Sequence, residues 1–318
     1  MILTRENYYT PEADMAYMSC SQYQAFCECE AKEMAILQGR WIPEEKEAFL
    51  VGNYFHTYFE GEEAHREFIA ANADKIFKKQ TKAQAAAGIF EKYAPFSMAD
   101  KMIDTAMGDP VIQSLLELPG ENEKILTGEM YGVPWRIRMD KYSPGTRLII
   151  DYKTVANIWE TKWSDELHMR ASFIDTYGYM FRAAVYSEIE KQAAQSKKDP
   201  QFLIIAISKQ DPPDKEVLLL NHKQRYEYEL EKVRDKLPKI MAVKEGRVRP
   251  TRCGMCDYCR ATKRLEGVKP YYVIMPEFRE QREVDYGAGS MLDNPSEEAA
   301  VGSVPTLQET TEMDLAGV

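Results

Sequence analysis

The stretch WRIRMDKYSPGTRLIIDYKT, residues 135–154, decides how this chain is read. Trp135 to Asp140 alternates large apolar with polar side chains, Ser143-Pro144-Gly145 is turn chemistry, and Leu148-Ile149-Ile150 is an apolar run rich in β-branched residues. Two antiparallel strands joined by a tight turn are predicted. With the turn centred near Gly145, Asp140 and Asp151 fall roughly opposite each other, within the ~4.5–8 Å of cross-strand and diagonal neighbours. Like charges at that range repel, and carboxylate oxygens are the donors that Mg²⁺ and Mn²⁺ select, so a divalent cation is the expected neighbour. The two-residue period of a strand puts Lys153 on the face of Asp151. A cation beside a metal suits a reaction that develops negative charge.

Outward from this hairpin the chain reads as a soluble globular protein. Its 318 residues are 44% apolar, enough for a substantial core. No apolar run approaches the length of a membrane span, and the first residues, MILTRENYYT, lack the apolar centre of a signal peptide. The expectation is therefore no membrane association and a cytoplasmic location. The formal charge is −10, but residues 280–318 hold nine acids against Arg282 alone, so −8 of it lies there. The remainder is close to neutral, which neither favours nor excludes nucleic acid, because a binding channel needs only local basic charge.

A Ser-capped helix is predicted from Ser19 to about Gly39, and a second, largely buried one from Lys46 to about Glu60 with His56 inside it. Residues 62–118 read as helical and charged, with Lys75, Lys78, Lys79 and Lys82 more consistent with a solvated face than with a groove. Strand signals cluster in KILTGEMYG, PWRIRMD and TRLIIDYKT. A helix follows over roughly 165–195, then the strands QFLIIAIS and KEVLLLN, and a charged amphipathic helix over 222–245. Helices, three strands, a helix, two strands and a helix make an α/β protein with a central mixed sheet flanked by helices. One domain is expected over 1–278, with N-terminal helices 15–118, a sheet core 124–220, and a C-terminal helix and cysteine cluster 222–275. The acidic, small-residue segment 279–318 is expected to be a disordered tail.

His56 in GNYFHTYFE, Glu129 in TGE, Asp140 in RIRMD and Asp151-Tyr152-Lys153 in LIIDYKT follow the order of motifs in the PD-(D/E)XK nucleases of the RecB type. Over residues 15 to 275 the chain resembles the phage RecE-like, or exodeoxyribonuclease VIII-like, exonucleases. That resemblance implies a core that uses Mg²⁺ (or Mn²⁺) to hydrolyse DNA phosphodiesters from duplex ends, 5′ to 3′, beside a single-strand annealing protein in phage recombination. It makes Asp140, Asp151, the carbonyl of Tyr152 and His56 the metal ligands, Lys153 the residue that orients or deprotonates water, and Glu129 a further acid. Relatives carry a Gln four residues before the Tyr of the helix that follows; here Arg182 precedes Tyr186, and Arg can still donate bidentately to phosphate or carboxylate. Relatives that form rings around DNA make a homo-oligomer an expectation. An endonuclease or nickase on the same core, or a non-catalytic DNA-binding module, are the competing readings.

Cysteine supplies the second constellation. Cys253-x2-Cys256-x2-Cys259 lets a short loop aim three thiolates at one point, and in an intracellular chain such clusters more often bind metal than form disulfides. RecB-type nucleases of several branches join one N-terminal cysteine to three C-terminal ones around an iron–sulfur cluster. The CEA context then points to Cys29 rather than Cys27 as the fourth ligand. A [4Fe–4S] cluster is the expected occupant and Zn²⁺ the alternative, because four thiolates suit both.

Overall fold

The computed structural model describes residues 1–271 apart from 83, 85–87, 89, 165, 266, 269 and 270. Two units are distinguished, Met1–Arg264 and Leu265–Val318, and the first carries everything below. The expected disordered tail over 279–318, and the boundary at 278, lie outside the described residues.

Five strands form the main sheet in the order β1 (Glu121–Met130), β2 (Val133–Ser143), β3 (Leu148–Val155), β6 (Gln201–Ser208), β7 (Lys215–Leu219). β1, β2 and β3 form an antiparallel meander, β3 and β6 run parallel, and β7 returns antiparallel to β6. The parallel step needs a crossover, which α8 (Phe173–Thr176) and α9 (Tyr179–Ala193) provide. The sheet is mixed, as expected. Between β3 and that crossover the chain adds a small ribbon, β4 (Lys162–Ser164) against β5 (Met169–Ala171).

Alternation along β3 and β6 divides the core in two. Ile149, Phe202, Ile204 and Ala206 face one cluster with Tyr23, Phe181, Val185 and Leu237. Leu148, Ile150, Tyr152, Ile205 and Ile207 face the other with Leu50, Tyr54, Phe55, Phe96 and Met102. Both faces of these strands are therefore covered, which explains why β3 and β6 read as continuous apolar runs. The first face is closed by α2 (Cys20–Leu37), which follows the short α1 (Pro11–Ala16), and by α9 and α10 (Lys223–Lys244). The second is closed by α3 (Glu47–Glu60), α4 (Glu62–Ala71), α5 (Ala73–Ile76), α6 (Ala94–Met107) and α7 (Pro110–Leu116). A last short helix, α11 (Asp257–Ala261), belongs to the cysteine loop.

The segment read as helical over 62–118 is interrupted. Phe77 pairs with Lys92 in an isolated antiparallel bridge, and Lys75 and Lys78 are tied to Glu45 and Glu91 at 2.5 Å each. A solvated, ion-paired face is what the structure shows for those two lysines.

Candidate active site and cysteine cluster

β2 is paired with β1 from Val133 to Tyr142, yet it meets β3 only at Lys141↔Ile150, Tyr142↔Ile149 and Ser143↔Leu148. β3 in turn stays paired with β6 along its whole length. The two strands of the central hairpin therefore fork immediately after the Lys141↔Ile150 pair. Across from Asp140, Glu123 of β1 takes a positive φ of 56°. The apolar alternation changes phase there: Trp135, Ile137 and Met139 share a core face with Tyr142. The fork and the kink leave Asp140 at the mouth of a gap in the sheet, where its Oδ2 accepts a hydrogen bond from the Tyr152 N–H at 2.8 Å.

Four of the residues singled out in the sequence converge on this gap. Lys153 Nζ lies 2.5 Å from Asp151 Oδ2 and 3.9 Å from Asp140 Oδ2, and donates to the Tyr152 carbonyl at 2.9 Å. His56 Nδ1 stands 3.4 Å from Asp140 Oδ2. α3 delivers it because Leu50, Val51, Tyr54 and Phe55 bury one side of that helix, while Phe59 stacks on Tyr152 with centroids 4.9 Å apart. Asp151 is 1% exposed, and neither of its carboxylate oxygens has a hydrogen-bond partner. A buried carboxylate held only by ion pairs is an arrangement that an added cation would complete. The donor set, two carboxylates, a carbonyl and an imidazole, fits a hard divalent ion.

The electrostatics agree. Burial alone would raise the Asp140 carboxyl, but His56, Lys153, the Tyr152 N–H and Arg182 together hold it below its ordinary value. Burial pushes the His56 imidazole below its ordinary value, against the pull of Asp140 and Asp151. The carboxylate is thus kept ionised and the imidazole neutral, the states in which both ligate metal.

Arg182 and Tyr186 come from α9. Arg182 Nη1 reaches Asp151 Oδ1 at 3.8 Å, and the Tyr186 hydroxyl donates to the Arg138 carbonyl at 2.9 Å. Tyr186 therefore ties α9 to β2, and Arg182 lies against the Asp151 carboxylate. Arg182 and Tyr186 line a cleft of about 1110 Å³, together with His56, Asp140, Lys153, Arg136, Arg138, Tyr8 and Tyr9.

Glu129 does not join this group. It is exposed near the far end of β1, paired with Pro134, and its backbone is held by the Gln192 side chain. The acid of β1 that does line the cleft is Glu123, 7% exposed and ion-paired with Arg138. Burial, and then the charge of Asp140, push its carboxyl up to about 7. Sequence reading missed it because β1 begins at Glu121, earlier than the KILTG run suggested, and the β1–β2 register is what places Glu123 across from Asp140.

The cysteines assemble elsewhere. The sulfurs of Cys29, Cys253, Cys256 and Cys259 all lie within 4.8 Å of one another, whereas Cys27 is exposed and outside the group. Cys29 gets there by breaking α2: its φ of −164° and ψ of 101° interrupt the helix. Glu30 and Ala31 then accept from and donate to Thr251, fastening the break to the C-terminal loop. The N–H groups of Cys256 and Cys259 donate to the sulfurs of Cys253 and Cys256. Burial raises the Cys253 thiol, but the N–H groups of Met255 and Cys256 outweigh it and bring it down to about 7. Sulfurs so arranged fit one metal centre.

A family described as a PDDEXK-like domain of unknown function (DUF3799) matches residues 19–262. A crystal structure from Eubacterium rectale, described as a "putative exonuclease", superposes with a TM-score of 0.77 at 32% identity, over 87% of this chain and 99% of its own. A second solved structure, SSO0001, aligns over 69% of this chain and 95% of its own at 14% identity, with a TM-score of 0.25 that bears no argument. No curated protein matches the chain. Among the described residues no helix is long and apolar enough to cross a membrane.

Proposed function

The chain belongs to the PDDEXK-like family, and on that premise we propose that it is a metal-dependent deoxyribonuclease that degrades DNA from duplex ends, 5′ to 3′. The observation that carries this reading is Asp151: buried, its two oxygens met by the ion pairs of Lys153 and Arg182, and set behind Asp140, His56 and Lys153, which line the cleft. Asp140, Asp151, the Tyr152 carbonyl and His56 would hold Mg²⁺, or Mn²⁺ in its place. Such an ion supplies Lewis-acid polarisation of the phosphate and a more acidic water. Lys153 would orient that water, take its proton when it stands as the neutral amine or, as the ammonium, face the charge that grows on the phosphoryl oxygens while the new P–O bond forms, the P–O bond to the leaving oxygen breaks and that oxygen takes up a proton from solvent. Arg182 takes the position of the usual Gln and would hold a phosphate oxygen from the α9 side. The E. rectale structure, described as an exonuclease, supports attack at ends over attack at internal sites.

Incubating purified protein with linear and with covalently closed duplex, in Mg²⁺ or in EDTA, tests the proposal. Loss of the linear substrate alone, in Mg²⁺ alone, is expected. Cleavage of closed circles would make the protein an endonuclease or nickase, and no cleavage of either would leave a DNA-binding module. The resemblance of the sequence to phage RecE-like enzymes extends the proposal to recombination with a single-strand annealing protein, to a homo-oligomer, and to the host cytoplasm.

The four cysteines would hold one structural metal centre. A tetrahedral ion with bonds of ~2.3 Å sets sulfur–sulfur edges of roughly 3.8 Å, and Cys29–Cys259 and Cys253–Cys259 stand at 3.6 and 3.9 Å. That spacing supports Zn²⁺. A [4Fe–4S] cluster puts a further layer of metal–sulfur bonds between the thiolates and would need them to spread.

A further inference from the structure

A line of rings and cations leaves the active site along a route that the hydrolytic reaction does not use. Lys153 Nζ lies 5.5 Å from the centroid of the Tyr179 ring. Tyr179 is 6.2 Å from Tyr177, their planes inclined by 48°, and Lys162 Nζ lies 5.9 Å from the Tyr177 ring. Lys162 opens the β4–β5 ribbon; the next residue, Trp163, sits across from Arg170. Exposure grows outward, from the half-buried Tyr179 to Tyr177 at 50% and Trp163 at 61%. Gly178, in the left-handed region at φ 68°, separates the two tyrosines and lets Tyr177 turn out of the helix while Tyr179 stays in α9. Nearby acids are engaged: Glu166 pairs with Lys232 at 2.5 Å and Asp175 with Arg225 at 2.9 Å. Glu160 shares a shallow dimple with Lys162 and Tyr177, which favours bases rather than phosphates lying against the ring there.

Successive aromatic faces interleaved with cations are the features with which proteins hold unpaired nucleic acid, each ring stacking on one base without regard to sequence. Bases inside a duplex offer no free face. We propose that Tyr179, Tyr177 and the β4–β5 ribbon form a stacking track for single-stranded DNA, so that the scissile strand passes Lys153 unpaired. The proposal rests on the nuclease reading of the site and adds its substrate form: a duplex end must fray, or already carry an unpaired tail, before it is cut.

Binding of a short fluorescent oligo(dT) in EDTA tests the track without requiring cleavage, so a failure here is separable from a failure of the nuclease reading, which the parent protein's Mg²⁺-dependent cleavage reports. Tyr177→Ala should weaken binding about tenfold, as expected for the loss of one stacked base, and Tyr177→Phe should bind like the parent. Lys162→Glu, on the exposed ribbon, should also weaken binding and serves if Tyr177→Ala proves misfolded by circular dichroism. A 2-aminopurine placed along the oligonucleotide should be quenched by the parent and by Tyr177→Phe, and not by Tyr177→Ala. In Mg²⁺ the parent should cut tailed duplex faster than blunt duplex, and Tyr177→Ala should narrow that difference. Unchanged oligo(dT) affinity in folded Tyr177→Ala and Lys162→Glu would overturn the proposal. Unchanged affinity with an altered sedimentation coefficient would overturn it in favour of a protein–protein interface at the ribbon.

Discussion

Replacing Glu123 by Gln removes one buried charge at the mouth of the sheet fork and keeps the shape of the side chain. Glu123 is 7% exposed, and burial with the neighbouring charge of Asp140 raises its carboxyl from 4.5 to about 7, with Arg138 pulling the other way. An acid whose folded value is raised holds its proton more tightly when folded. The stability it contributes is full below pH 4.5 and is lost as pH rises through 7. At 1.36 kcal/mol per unit, the step between pH 5 and pH 8 amounts to roughly 2.5 kcal/mol. Glu123→Gln cannot titrate, so its stability relative to the parent should rise by about that amount over the same interval. Urea unfolding in EDTA at the two pH values, parent against variant, is the assay, and taking the difference removes to first order the titrations of His56 and Asp140 that both proteins share. A parent–variant difference that stays constant across the two pH values would show that Glu123 is ionised throughout and that its burial is offset by Arg138 alone.

Asp140→Ala, Asp151→Ala and Lys153→Ala should each lower Mg²⁺-dependent cleavage by on the order of a thousandfold or more while leaving the far-UV circular dichroism of the parent; near-normal turnover by Asp151→Ala would refute the site. Arg182→Ala should raise KM more than it lowers kcat, and Arg182→Gln, which restores an amide donor, should recover part of that loss; parent-like kinetics for Arg182→Ala would show that the guanidinium 3.8 Å from Asp151 does not act on substrate. Cys29→Ser and Cys253→Ser should share one phenotype, loss of bound metal and several kcal/mol of stability, whereas Cys27→Ser should match the parent. Elemental analysis and colour decide the occupant: one zinc per chain in a colourless preparation, or a brown protein if the centre is iron–sulfur.

The parts of the site that were legible in the sequence are those governed by short-range periodicity. Asp151 and Lys153 share a face because they are two residues apart on a strand. Cys253, Cys256 and Cys259 converge because a short loop joins them. His56 is legible only through the order of motifs shared with the RecB-type nucleases, since a histidine on an apolar helix by itself reads as a core residue. What escaped depends on partners distant in sequence. Glu123 meets Asp140 only through the β1–β2 register, whereas the motif order shared with the nuclease family points to Glu129, which that register pairs with Pro134 near the far end of β1. The β4–β5 ribbon has three residues to a strand, and its second strand, Met169–Ala171, falls inside the stretch from about 165 to 195 that composition assigns to a helix. The break at Cys29 could not be read either, since CECEAKEMA has strong helical propensity and is overridden by the fastening of Glu30 and Ala31 to Thr251.

The fork in the sheet also explains why the two constellations belong to one fold. Once β3 leaves it, the edge of β2 has unpaired backbone groups that must find partners in a buried setting. Met18 supplies them: its N–H donates to Pro134 and its carbonyl accepts from Arg136, a bridge centred on Trp135, which is fully buried. The very next residue, Ser19, caps α2 by accepting from the Gln22 N–H. α2 then runs to Cys29. One continuous segment thus closes the open side of the catalytic fork at its start and enters the cysteine cluster at its end. Lys244, at the last turn of α10, donates to the Tyr17 carbonyl and to Gln22, pinning the start of that segment from the C-terminal half. Loss of the metal that the four sulfurs would hold is expected to loosen α2 at Cys29 and, through α2, the Met18 bridge on the edge of β2. Cys29→Ser is therefore expected to weaken cleavage in step with stability, even though no sulfur of the cluster lines the cleft of Asp140 and Lys153.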